Sequence, residues 1–215
     1  IFVIADLLVR PDMRGEGIGK TILKSADSKK SMRILSLGHK DAVVEKLTID
    51  GGYLTGGNGA GAYVTAGTLQ NCEIMNCSEN HWGGVSGCGV YATGRDALVL
   101  GCDIHDNYAS MGQGMGLGLA NYAVARNCLI RDNRCTSDAR HAAYINQYGT
   151  LENCTVTRND CWNDAAVGTD TGNNNYMQVV ANCVVWGNTG NTPLAASSSV
   201  IGEGWTIKGD IRRVT

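Results

Sequence analysis

Glu73, Asp103, His105 and Arg131, together with Glu79, His81, Asp138, Arg140 and Asp164, are the side chains of this chain whose types and positions suit acid–base chemistry. A pair of carboxylates divides the roles of proton donor and acceptor when its surroundings push the two pKa values apart. Glu73 and Asp103 form one such pair if they share a surface, with His105 and Arg131 beside them. Nine cysteines and four histidines invite a metal reading as well. No Cys-x-x-Cys pair is present, and His39, His81, His105 and His141 do not fall at zinc-ligand spacings from the cysteines, so the spacing predicts no metal.

A second motif imitates phosphate binding. Gly15-Glu16-Gly17-Ile18-Gly19-Lys20-Thr21 ends like a phosphate loop, but Arg14 stands where the pattern requires its first glycine. The stretch from Thr21 to Ser25 reads as strand where a helix is needed, so nucleotide binding is rejected.

The elements that must position these residues come from a repeat. Asn71-Cys72-Glu73-Ile74, Gly101-Cys102-Asp103-Ile104, Asn127-Cys128-Leu129-Ile130, Asn153-Cys154-Thr155-Val156 and Asn182-Cys183-Val184-Val185 recur with cysteine-to-cysteine steps of 30, 26, 26 and 29 residues. Lys46-Leu47-Thr48-Ile49 adds a copy with leucine in the cysteine column. A period this short predicts a solenoid whose units bury their apolar faces against their neighbours. Each unit divides into three short strands. In one unit they are 60–64, 68–70 and 72–75, with Asn71 at a corner where φ > 0 is tolerated. Asn127, Asn153 and Asn182 repeat the corner and predict an asparagine ladder. Alternation turns Cys72 and Ile74 inward and Glu73 and Met75 outward. The variable stretches 77–87, 106–116 and 159–165 read as insertions between coils.

Composition agrees. The 215 residues include 29 glycines and 2 prolines, 18% are charged, and the net charge is -2, which leaves no basic field for nucleic acid. No apolar run is long enough to span a membrane. Residues 1–41 read as N-terminal coils or cap, 42–190 as regular coils and 191–215 as a C-terminal coil or tail, about seven to eight coils in all. The chain opens on Ile1 without a charged leader, which suits a processed form or an excised piece.

With its Asn-Cys-x-[Ile/Val]-x-x-Asn coils and Gly-x-[Ala/Val]-Tyr strands, the chain resembles the right-handed, single-stranded parallel β-helix superfamily, in particular secreted bacterial repeat proteins, over residues 42–190. The resemblance implies an all-β fold and an extracellular or cell-surface location. The superfamily also includes pectate-lyase-like enzymes, adhesins and phage spikes. No catalytic signature matches residue by residue. Calcium is implied only for a lyase, and no other cofactor is expected.

Cys72, Cys102, Cys128, Cys154 and Cys183 share one inward column and are read as small buried hydrophobes. Cys135 with Cys161, and Cys77 with Cys88, are placed where a bridge is open to either state, and the odd count leaves at least one thiol unpaired within the chain. Tyr63, Tyr91 and Tyr144 are expected outward in one column that Ala120 interrupts, beside a flat floor of Gly61, Gly89, Gly118 and Ala142. Aromatic rings along a shallow groove suit sugars, so Tyr63, Tyr91, Tyr144 and the insertion residue Trp82 are the carbohydrate-binding candidates. Glu73, Asp103, His81, Asp138 and Arg140 are the catalytic candidates. The functional expectation is a scaffold or binding protein recognising a polysaccharide or cell-surface glycan. A polysaccharide lyase or hydrolase, and a rod that stacks end to end, are the alternatives.

Overall fold

The computed structural model describes residues 21–27, 29–79, 87–162, 164–169, 178–189 and 194–195; the side chains of 136–140 and 194–195 are outside that description. Among the described residues there is no helix, and the strands stack in parallel register into a solenoid.

One coil illustrates the rest. It runs through Val90–Thr93, Ala97–Leu100, Asp103–His105 and Tyr108–Gln113. Four strand segments, not three, make the turn. The additional ones, Tyr53–Leu54, Ser78–Glu79, Tyr108–Gln113 and Arg134–Arg140, form a four-stranded sheet of their own. The stretches 77–87 and 106–116, read as insertions, therefore begin as framework. A seven-stranded sheet is built from Thr21–Lys24, Leu47–Asp50, Glu73–Met75, Asp103–His105, Leu129–Arg131, Thr155–Thr157 and Val184–Trp186. An eleven-stranded sheet holds the two remaining segments of each coil. Seven rungs make about six turns, fewer than the seven to eight coils expected.

Inside, like lies over like. Ile49, Ile74, Ile104, Ile130, Val156 and Val185 form one buried column of the seven-stranded sheet. In the next inward column, Leu47 opens its strand and is followed by Cys72, Cys102, Cys128, Cys154 and Cys183, each one position before its strand, all five cysteines buried and free. Their thiols donate to carbonyls of the preceding rung, as Cys128 Sγ does to Val99 O at 3.6 Å. Stacking at about 4.8 Å per rung leaves room for a small side chain that also has a weak donor.

The amide ladder is real but lies in another column. Asn71, Asn127, Asn153 and Asn182 do turn the corner with φ between 51° and 55°, yet their side chains are exposed. The stacked amides are Asn107, Asn133, Asn159 and Asn188, at the second corner, where the chain enters the fourth segment. Asn107 Nδ2 donates to Asn133 Oδ1 at 2.9 Å, Asn133 Nδ2 to Asn159 Oδ1 at 2.9 Å, and Asn159 Nδ2 to Asn188 Oδ1 at 2.8 Å. Each acceptor oxygen also takes a backbone N–H, as Asn107 Oδ1 does from Cys77 at 3.0 Å at the head of the series. The physical reason is location. A corner amide that points to water gains little, whereas buried N–H groups at an inward corner must find partners.

Candidate functional site

The outward face of the seven-stranded sheet carries the densest chemistry. Register sets Thr48 beside Glu73 and Glu73 beside Asp103, with Asp50, Met75, His105 and Arg131 successive in the next outward column. His105 is only 6% exposed. Its Nδ1 lies 2.6 Å from Asp106 Oδ2 and its Nε2 lies 3.2 Å from Glu73 Oε1. The Thr48 hydroxyl donates to Glu73 Oε2 at 3.0 Å. Arg131 grips Asp103 with two bonds of 3.0 and 2.8 Å and also donates to Asp132 at 2.8 Å. Arg158 closes the series with two further bonds to Asp132, and its guanidinium with that of Arg131 holds the Asp132 carboxyl down at about 2. Parallel register makes this cluster, because Glu73 and His105 are 32 residues apart in the chain. Sequence spacing of histidines and cysteines had no access to it.

The tyrosine face is reshaped. Tyr63 and Tyr91 stand one rung apart with rings parallel within 5° and centroids 5.6 Å apart, and the Arg33 guanidinium covers Tyr63 at 4.7 Å. Arg33 is itself held by the carbonyls of Gly59 and Asn58. The gap in the column is Gly118, not Ala120, since Tyr91 pairs with Gly118 and Gly118 with Tyr144. Tyr144 is 9% exposed and stacks under His141 at 5.7 Å, so its face is covered. The glycine floor is also corrected. A β-carbon at Gly61 would lie 2.8 Å from Cys77 Sγ and 2.5 Å from Gly89 O, and Ala142 is fully buried, so these positions face the interior, while Gly118 belongs to the tyrosine column.

Glu79, one of the acid–base candidates, points into the core. It pairs between Leu54 and Ala109, is 1% exposed, and its Oε1 has no partner among the described residues. Burial pushes its carboxyl up to about 8. The same burial raises the Cys77 thiol to about 12 and Cys88 well above its usual value. Both are free, as are Cys135 and Cys161, which face each other on consecutive rungs. His81 and Trp82 lie outside the described residues. Asp138 and Arg140 sit on the strand Arg134–Arg140, opposite Met111 and Gln113. Asp164 approaches His141, 3.6 Å from its Nδ1.

Sequence reasoning missed a second aromatic pile. Tyr122 and Tyr148 stack at 4.6 Å within 5°, with the Arg95 guanidinium 3.5 Å from the Tyr122 centroid. Both tyrosines occupy tight turns at φ 71° and 67°, positions where glycine is usual. The Asn121-Tyr122 and Gln147-Tyr148 doublets were the available signal.

Comparison with known proteins adds one finding. The family described as right handed beta helix region matches residues 34–206. No curated protein and no solved structure matches. Among the described residues no helix is long and apolar enough to cross a membrane.

Proposed function

The chain belongs to the right-handed β-helix family, and from that premise we propose that it is a recognition scaffold working outside the cell or at its surface, with a carbohydrate as its ligand. The family reading alone reaches as far as a superfamily that holds pectate-lyase-like and hydrolase-type proteins. The observation that carries the finer statement is the Tyr63–Tyr91 pair, two parallel rings 5.6 Å apart with Arg33 stacked on one end. Such a ridge offers apolar ring surface for sugar C–H groups and phenol and guanidinium donors for hydroxyls, already ordered before a ligand arrives. Tyr144 drops out of the binding set because it is covered.

The test is binding to a glycan array and titration of the best glycan against Tyr91→Ala and Tyr63→Ala. Each variant is expected to weaken binding at least tenfold, about 1.4 kcal/mol. Unchanged affinity in both would remove the ridge from the account. A second reading, a polysaccharide lyase or hydrolase, draws on the Glu73–Asp103 pair with His105 beside it. Release of unsaturated or reducing sugar ends, lost in Glu73→Gln, is the outcome that would favour it.

A further inference from the structure

The outward face of the seven-stranded sheet departs from its own repeat at two rungs. Glu73 lies directly opposite Asp103, where the flanking rungs of the same column carry Thr48 and Leu129. Two carboxylates opposed on neighbouring strands repel, so the fold gains nothing from this pairing. His105 stands in the next column with Nε2 turned toward Glu73. One ligand atom from each of Glu73, Asp103 and His105 lies within 4.8 Å of the other two. We propose that these three residues bind a divalent first-row transition-metal ion.

A second observation separates this cluster from an accidental gathering of charge: every one of the three residues is braced by a further side chain. Asp106 holds His105 at Nδ1, 2.6 Å away, which fixes the ring and leaves Nε2 facing the carboxylates. Thr48 holds Glu73 through Oε2, leaving Oε1 facing Nε2. Arg131 holds both oxygens of Asp103, and a carboxylate keeps lone pairs free after a two-bond grip of this kind. A carboxylate behind a ligating histidine, and hydrogen bonds behind ligating carboxylates, are the outer arrangement that metal sites use to orient their ligands.

Distance and donor type point the same way. Ligand atoms around a tetrahedral ion with bonds of about 2.1 Å sit roughly 3.4 Å apart. His105 Nε2 and Glu73 Oε1 are already at 3.2 Å. Asp103 offers its ligand atom within 4.8 Å of both. One imidazole nitrogen with two carboxylate oxygens suits zinc, manganese or cobalt, whereas calcium and magnesium favour sites made of oxygen alone. Three protein ligands leave a coordination position open to water or substrate.

The experiment is titration of the metal-free full chain with cobalt(II), followed by visible absorption. One ion per chain is expected, with ligand-field bands and without the near-ultraviolet charge-transfer band that thiolate ligands give. His105→Ala and the shape-conserving Glu73→Gln should each lose at least tenfold in affinity, and Asp106→Asn, which alters the partner behind the histidine, about 10- to 100-fold. Far-ultraviolet circular dichroism identifies any variant that fails to fold. A thiolate band, no uptake by the parent protein, or undiminished affinity in a folded Glu73→Gln variant would each overturn the assignment.

Discussion

Inside and outside the same sheet, this protein follows opposite rules. The inward columns repeat: isoleucine over isoleucine, cysteine over cysteine, and at the nearby corner asparagine over asparagine. On the outward face, Thr48, Glu73, Asp103, Leu129, Thr155 and Val184 succeed one another without a common type. A stack in which each unit touches only its neighbours needs repetition where it is buried and is indifferent where it is wet. Repetition therefore reports architecture, and the place where an unfavourable pairing is kept reports selection for something else.

The largest effects are expected on the inward side. Thiols raised to about 12, such as Cys102, Cys128 and Cys154, have about a thousandth of the usual thiolate fraction as well as no access to solvent. A disulfide reagent should leave them unmodified in the native protein and label all nine cysteines after denaturation. Cys72 ends the ladder, its pKa lowered first by the bond to Cys102, and should be the first ladder thiol to react. Ready labelling of Cys128 in the folded chain would show that the column is not closed.

Asn133→Ala comes next. It removes an acceptor for Asn107 and a donor to Ile104 O, leaving buried backbone groups unpaired, and should lower unfolding free energy by about 3 kcal/mol in urea titration. Glu79 gives a comparable effect that depends on pH. Its folded pKa of about 8 lies above the 4.5 of the free group, so its contribution is fully present below about pH 4.5 and is lost as pH rises through 8. Unfolding free energy should fall by about 4 kcal/mol between about pH 5 and pH 9 on its account, and Glu79→Gln should flatten that slope. An equal slope in the variant would move the charge effect elsewhere.

At the exposed corner the comparison predicts almost nothing. Asn127 has φ 55° and an exposed side chain, so Asn127→Gly should stay within about 0.5 kcal/mol of the parent. A loss as large as that of Asn133→Ala would erase the distinction between the two asparagine columns.

How far the sequence could be read comes down to the same division. The Asn-Cys repeat made the solenoid and its inward cysteine column legible, because a buried column must repeat its residue type. It did not distinguish the two asparagine columns, since Asn71 and Asn107 differ in burial, not in type. Glu79 was legible as a carboxylate but not as an inward one, because the strand Ser78–Glu79 is too short to show alternation. The gap at Gly118 was misplaced by two residues because only register tells which of two positions lies over Tyr91. The Glu73–Asp103 pairing could be inferred from the repeat, whereas the bracing by Asp106 and Thr48 depends on side-chain geometry.

The claim that the outward departure serves function and not stability is tested most directly by urea unfolding of Glu73→Thr, which gives this rung the residue found at Thr48 and Thr155. Relief of the opposed carboxylates should leave stability unchanged or raise it by about 0.5 kcal/mol. A fall of about 2 kcal/mol or more would mean that the cluster holds the fold together, and would contradict the account.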